Sequence, residues 1–327
     1  MPIITTDKIW MNGEFVNWDD AKCHVLTHAL HYGSGVFEGI RCYHTKDGPA
    51  VFRLKEHMRR LYNSAKIYFM TTDDRLGDET RSYGVDELCD AAKETIRENR
   101  DSLIAGNKTL NGNNEEKIEC YIRPIVYRGY GEIGLNPLNS CIDFAIAVWP
   151  WGAYLSGGDD GIRVKTSSFE RINSNVLPPN VKATGQYINS ILACIEIKKS
   201  GYQEALLLDN RGFISEGPGE NLFIIKDGKI LTPPEHASIL KGITRDSVMI
   251  IAKDLGYDVK ETDIDRGMIY LADEAFFTGT AAEVTPIREI DNYQIGKPGP
   301  ITKEIHGRFF DIIRGKVPKY MEWLDFV

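Results

Sequence analysis

Apolar and polar positions alternate around short turn signals at the start of the chain. Asn12-Gly13 separates Ile9-Trp10-Met11 from Glu14-Phe15-Val16, and Asp47-Gly48 separates Arg41-Cys42-Tyr43 from Val51-Phe52-Arg53. Asn-Gly and Asp-Gly accept the left-handed backbone of a tight reversal, so both segments predict β-hairpins. The period then changes: Leu54, Met58, Leu61 and Ala65 recur at helical spacing, and a second helix is expected over 86–97. Residues 107–116 are rich in Asn, Gly and Glu and predict an exposed loop. Strands are expected over 118–126 and 141–149.

The stretch 151–161 holds four glycines and two aspartates, and predicts a linker between an N-terminal α/β domain (1–150) and a C-terminal domain (162–327). In the second half Ile188, Ile191, Leu192 and Ile195 predict a helix closed near Gly201. Strands are expected over 204–208, 213–216 and 222–225, with turns at Asn210-Arg211-Gly212 and Asp227-Gly228. A helix over 244–255, a strand over 274–278 running into Gly279-Thr280-Ala281, and a last helix opened by Pro300 complete the pattern. Hairpins and helices mix without the strand–helix alternation of a doubly wound sheet, so the expected class is mixed α/β (α+β) with two domains.

Composition narrows the function classes. The chain has 327 residues, 42% of them apolar, and a formal charge of −8 from 39 basic and 47 acidic side chains. That acidic balance argues against nucleic-acid binding. No apolar run is long enough to cross a bilayer, and the first ten residues lack the basic and apolar regions of a secretory signal, so a cytoplasmic protein is expected. Cys23, Cys42, Cys89, Cys120, Cys141 and Cys194 are scattered, with no C-x-x-C pair, and are expected to be reduced thiols. His24, His28, His31 and His57 have no carboxylates at ligand spacing beside them, so no metal site is expected. No Walker-type glycine loop is present.

Two segments have the chemistry to hold an anion. Gly242-Ile243-Thr244 opens a helix, whose first N–H groups and dipole end favour negative charge. Gly279-Thr280-Ala281 ends a strand with small residues, so backbone N–H groups can approach a ligand closely. Taken alone, each could equally be a helix cap or a turn.

Eight collinear motifs widen the view: HYGSGVFEGIRCY (31–43), EHMRRL (56–61), YIRP (121–124), WPWGAY (149–154), KATGQYINS (182–190), ISEGPGENLF (214–223), KGITRD (241–246) and FTGTAAEVTP (277–286). Together with the ending MEWLDFV they resemble the fold-type IV pyridoxal-phosphate aminotransferases, and most of all the bacterial-type branched-chain amino acid aminotransferases. Within the fold, D-amino acid aminotransferases and aminodeoxychorismate lyases are alternatives. Tyr121-x-Arg123 and the paired tryptophans favour the branched-chain reading. A non-catalytic protein that keeps the cofactor pocket is a further alternative, although its lysine or glutamate would be expected to be lost.

The resemblance implies roles residue by residue. Lys182 would form the Schiff base with pyridoxal phosphate and, once displaced, move the proton as general base and acid. Glu216 would hold the pyridine nitrogen protonated, which makes the ring a better electron sink; Glu220 is expected to be structural. Arg60 would bind the phosphate, with neighbouring Arg59 on the solvent face, and Ile243, Thr244 and Thr280 would complete the phosphate cup. Tyr187 would meet the phenolic oxygen and Leu240 would pack on the ring.

For substrate, the resemblance implies Phe37, Tyr121, Arg123, Trp151 and Tyr154 around the pocket, with Tyr121 and the Thr280-Ala281 backbone at the α-carboxylate. Arg123, with Tyr32 from a neighbouring subunit, would accept the distal carboxylate of glutamate, and Leu135 would also come from the neighbour. Amino acids and 2-oxo acids are thus the expected partners, in at least a homodimer. Thr184 stands where many relatives have glycine, and the stretches 73–84 and 106–117 are longer than the compact pattern and expected to be surface loops.

Overall fold

The computed structural model describes residues 3–112, 114–152 and 160–327. The chain packs as two compact units: Met1–Gly152 with Val181–Gly185 and Ile312–Val327, and Ala153–Asn180 with Gln186–Asp311. The chain thus returns twice to the first unit, and one of the returning segments carries Lys182. Much of the expected linker, including Tyr154, lies outside the described residues.

The first unit is built on an eight-stranded sheet. Its strands run in the order Leu324–Phe326, Gly48–Phe52, Ile40–Thr45, Cys120–Arg128, Ile142–Pro150, Lys8–Met11, Glu14–Asn17, and Gly35–Phe37 also pairs with Cys120–Arg128. Every one of these pairings is antiparallel. Both hairpins form where expected, with Asn12 at φ 55° and Gly48 at φ 115°. Helices Leu54–Ile67 and Val85–Glu98 form at the expected places. They pack Leu54, Met58, Leu61, Leu88, Ala92 and Ile96 into one core with Ile122, Val126, Phe144, Ile146 and Val148.

That core takes the even-numbered positions of the two central strands. Successive strand residues point to opposite faces, so the odd-numbered ones, Tyr121, Arg123, Ile125 and Tyr127, share the other face. Across the ladder they meet Trp149, Ala147, Ala145 and Asp143.

Two expected loops are structured. Residues 107–111 finish the helix Arg100–Asn111. Asn107 is buried there, its amide donating to the carbonyls of Leu103 at 2.8 Å and Glu119 at 3.0 Å. Polar composition misled the sequence reading because this Asn satisfies backbone rather than solvent. Residues 73–84 contribute to a small three-stranded sheet, Thr71–Thr72, Arg75–Gly77 and Ser82–Tyr83, that buries Leu76 completely.

The second unit has a mixed eight-stranded sheet. Its order is Glu204–Leu206, Ile162–Thr166, Glu283–Ile290, Glu274–Gly279, Asn221–Lys226, Lys229–Thr232, Val259–Glu261, with Tyr293–Gln294 on the edge of Glu283–Ile290. Ile162–Thr166 runs parallel to both its neighbours. Residues 213–216 form only an isolated bridge, Leu208 to Ile214, instead of the expected strand. The helix Tyr187–Lys199 forms as expected, but it buries Ser190, Ala193 and Ile197 and exposes the apolar stripe Ile188, Ile191, Leu192 and Ile195.

Cys42 and Cys120 face each other across paired strands, both fully buried. The Cys120 thiol, and then burial, push the Cys42 thiol up, so Cys42 is held neutral.

Candidate active site

In the first unit the helix Leu54–Ile67 directs His57, Arg60 and Ser64 to one face, as their three- and four-residue spacings require. Arg59 is exposed, over the Tyr62 ring at 5.7 Å. Arg60 turns inward: its Nε donates to Glu38 Oε1 at 2.6 Å and its Nη2 to Glu38 Oε2 at 2.8 Å.

Glu38 is fully buried, a position that strongly penalises a carboxylate unless its oxygens are filled. Here they are, because Oε2 also accepts from His57 Nδ1 at 2.8 Å and from the Gly39 N–H at 3.2 Å. Burial alone would raise the Glu38 carboxyl, but the charge and hydrogen bonds of Arg60, helped by His57, outweigh it and hold the group far below the usual carboxylate range. Burial pushes His57 down, and the Arg60 and Lys182 charges add to this, overcoming the pull of Glu38. His57 is therefore a neutral imidazole donating to a carboxylate.

Stability depends on that neutral form. The unfolded chain protonates His57 near its ordinary value of 6.5, and the folded chain does so only at lower pH. The stabilisation is complete above that value and is lost as the pH falls below it, by at most about 1.4 kcal/mol per unit for one proton. Melting temperature should drop between pH 7.5 and 5.5, and His57→Gln should flatten the drop. An unchanged slope would show that His57 takes up its proton equally in the folded and unfolded chains.

Glu38 belongs to a short segment that orders the rest of the half-site. Val36 bridges to Ala183, and the Phe37 N–H donates to the Lys182 carbonyl at 3.0 Å. The Lys182 N–H donates to Ser64 Oγ at 3.2 Å, and Lys182 Nζ lies 5.2 Å from the centre of the Phe37 ring. At Gly39 an added Cβ would sit 1.9 Å from the Tyr121 hydroxyl oxygen. Gly39→Ala should therefore displace Tyr121 and cost about 1–3 kcal/mol, the range for overpacking. A denaturant midpoint equal to wild type would contradict this contact.

Arg123 stands on the odd-numbered strand face among rings: its Cζ is 4.8 Å from the Phe37 centroid, 5.3 Å from Tyr121 and 5.9 Å from Trp149. Tyr121 also packs against Trp151 at 4.6 Å. Among the described residues Arg123 has no ion pair, and its Nε is buried without a hydrogen-bond partner. A cavity of about 380 Å³ opens beside it, lined by Ile9, Met11, Ile125, Ala145 and Ala147. Small Ala147, opposite Arg123 in the ladder, leaves that room. A guanidinium at the edge of an apolar cavity can receive either an aliphatic chain or a carboxylate.

Thr184 ties two strands of backbone together, since its hydroxyl lies 2.8 Å from the Gly33 carbonyl and 3.2 Å from that of Gly35. The short helix His28–Tyr32 ends at Gly33 and presents Tyr32, which is 45% exposed. Leu135 is 90% exposed. Three further histidines have hydrogen-bond partners, His28 in Ser34 Oγ and the Gly134 carbonyl, His31 in the Val25 carbonyl and His24 in the Leu26 N–H.

In the second unit Glu216 is buried, and both of its oxygens are occupied. Oε1 accepts from Arg171 Nε at 2.7 Å, and Oε2 accepts from Asn221 Nδ2 and the Leu240 N–H, each at 2.9 Å. The Asn221 amide also reaches the Leu240 carbonyl at 3.0 Å, so the Leu240 backbone is tied to the carboxylate from both sides. Two residues on, Gly242 caps the helix Ile243–Asp254, whose opening turn presents Ile243 and the buried Thr244. Thr280 and Ala281 form the half-buried reversal between Glu274–Gly279 and Glu283–Ile290. Tyr187 is the first residue of its helix.

Glu38, Arg171 and Asn221 were not singled out from sequence, and His57 was weighed there only as a metal ligand. Three of them stand inside the collinear motifs: Glu38 in the first, His57 three residues before Arg60, and Asn221 five residues after Glu216. Arg171 has no such signal, since its pairing with Glu216 spans 45 residues.

Comparison with known proteins shows the family. Residues 35–290 match the family described as amino-transferase class IV. The branched-chain-amino-acid aminotransferase of Escherichia coli (strain K12) is 45% identical over 324 residues, covering 98% of this chain and 97% of that protein. A crystal structure of the E. coli enzyme superposes with a TM-score of 0.88 at 44% identity, over 98% of this chain and 99% of that one. The branched-chain amino acid aminotransferase of Thermobaculum terrenum, in its PLP-bound holo-form, gives 0.85 at 33% identity and covers 98% of each chain.

Proposed function

The chain belongs to the class IV aminotransferases, and from that premise we propose that it moves the amino group of leucine, isoleucine or valine to 2-oxoglutarate with pyridoxal phosphate as cofactor. The observation that carries the substrate class is Arg123, an arginine without an ion pair among the described residues, set among rings beside an apolar cavity.

Bound pyridoxal phosphate supplies an aldehyde and an electron-withdrawing ring. Lys182 would hold that aldehyde covalently, and its freed amine would move a proton between the substrate α-carbon and C4′. Arg60, with Ile243, Thr244 and Thr280, would hold the phosphate through charge and N–H or hydroxyl donors. Tyr187 would donate to the phenolic oxygen, and Leu240, fixed by Asn221 and Glu216, would pack on the ring. Tyr121 and the Thr280-Ala281 backbone would receive the α-carboxylate, while Phe37, Trp151 and Tyr154 would wall the side chain.

Glu216 would keep the pyridine nitrogen protonated. Its fit to that role is supported by its burial and by Arg171, Asn221 and the Leu240 N–H, which hold the carboxylate in one orientation. Glu216→Gln should retain cofactor and slow proton transfer by about 10²–10³, the range for removing one group aimed at developing charge. Unchanged single-turnover rates would remove Glu216 from this role.

We further propose a cytoplasmic homo-oligomer. The apolar stripe Ile188, Ile191, Leu192 and Ile195 supports it, as do exposed Val25, Leu30 and Leu135, since solvated apolar patches of this kind mark association surfaces. Tyr32 and Leu135 would then serve the neighbouring subunit, Tyr32 beside that subunit's Arg123. Among the described residues no helix is long and apolar enough to cross a membrane. The proposed function is tested by mixing the cofactor-loaded protein with single amino acids. L-Leucine should discharge the visible cofactor absorbance within seconds and D-alanine should not. The reverse order would favour a D-amino acid aminotransferase.

A further inference from the structure

Arg60 can serve a phosphate only if its guanidinium is aimed, because a free arginine side chain samples many rotamers. A group in place to aim it is Glu38, which takes the Nε–Nη2 edge of Arg60 at 2.6 and 2.8 Å. Glu38 cannot swing with Arg60. Its backbone N–H donates to the Pro124 carbonyl at 2.9 Å, and the preceding Phe37 N–H is bonded to the Lys182 carbonyl. Its carboxylate is held from the other side by His57 and by the Gly39 N–H. His57 and Arg60 are i and i+3 on one helix, so the same turn supplies both the arginine and the group that backs its partner.

We propose that Glu38, backed by His57, is the positioning residue that aims Arg60 at the cofactor phosphate and sets its distance from Lys182. The proposal rests on the phosphate-binding reading of Arg60. The Glu38 carboxylate contacts Arg60, His57 and the Gly39 N–H. It acts through the arginine, and the 36–39 segment ties that arginine to the 181–185 segment that carries Lys182.

The test separates phosphate binding from everything else by comparing pyridoxal phosphate with pyridoxal, which keeps the aldehyde and ring. Each would be titrated into the apo full-length protein and followed by visible absorbance. Glu38→Gln keeps the size of the side chain and removes its charge. It should weaken pyridoxal phosphate about 10- to 100-fold, by analogy with outer-shell partners of metal ligands, and change pyridoxal less than about twofold. His57→Gln should lower the ratio of the two affinities in the same direction by a smaller factor, and Glu38→Asp, which restores charge at a shorter reach, should recover part of it. If Glu38→Gln does not fold, the other two variants decide by the same ratio. Equal losses for both ligands, or no loss for either, would overturn the proposal. Arg60→Met is the control on the underlying reading: if it leaves the ratio unchanged, Arg60 does not bind the phosphate. If it collapses the ratio while the Glu38 variants do not, the reading stands and the positioning role fails.

Discussion

Lys182→Ala is expected to lose transamination by about 10⁴-fold or more, because one residue would give up both its covalent and its proton-transfer roles. The structure gives this lysine a defined frame. Its carbonyl accepts from Phe37, its N–H donates to Ser64, and Ala183 bridges to Val36, so the side chain leaves a backbone fixed on three sides. Removing the amine should leave that frame intact, so Lys182→Ala should fold with an unchanged far-ultraviolet spectrum. Borohydride reduction of the loaded wild type, followed by peptide mapping, should place the cofactor on residue 182. Label on another lysine, or activity within about tenfold of wild type in the alanine variant, would remove Lys182 from its role.

Arg123→Met is expected to divide the two half-reactions. Glutamate brings a second carboxylate to a surface walled by Phe37, Tyr121 and Trp149, where it would be costly without a cation. Losing the guanidinium should weaken the glutamate half-reaction by about 2–5 kcal/mol, or about 30- to 4,000-fold, the range for truncating one partner of a buried charge pair. Leucine needs apolar surface, and methionine supplies it, so the leucine half-reaction should change less than about threefold. Single-turnover measurements with each donor separate the two. Equal losses would mean that Arg123 binds the α-carboxylate or holds the strand face together.

The elements legible in the sequence were those whose signal is local. The Asn12-Gly13 and Asp47-Gly48 hairpins and the Leu54–Ile67 helix carry their own turn residues or periodicity. The Tyr187–Lys199 helix was legible as an element but not in its orientation. Its apolar stripe faces solvent, because periodicity marks a face and not what covers it. One misread segment, 107–111, is polar because Asn107 satisfies the Glu119 carbonyl, and another, 213–216, forms only the Leu208–Ile214 bridge. The site divides in the same way. Motifs pointed to Lys182, Arg60 and Glu216, whereas the groups that orient them, Glu38 across 22 residues and Arg171 across 45, are joined only by folding. Charge pairing between distant positions leaves no trace in a single sequence.

The central claim is branched-chain transamination, and the most direct test is a donor-by-acceptor rate matrix on the cofactor-loaded protein. L-leucine, L-isoleucine and L-valine with 2-oxoglutarate should each yield L-glutamate and the matching branched 2-oxo acid in equal amounts, with D-alanine and L-aspartate slower by at least about 100-fold, the discrimination that roughly 2.7 kcal/mol of side-chain fit provides. Faster turnover of D-alanine than of L-leucine, or no glutamate from any branched donor, would contradict the account.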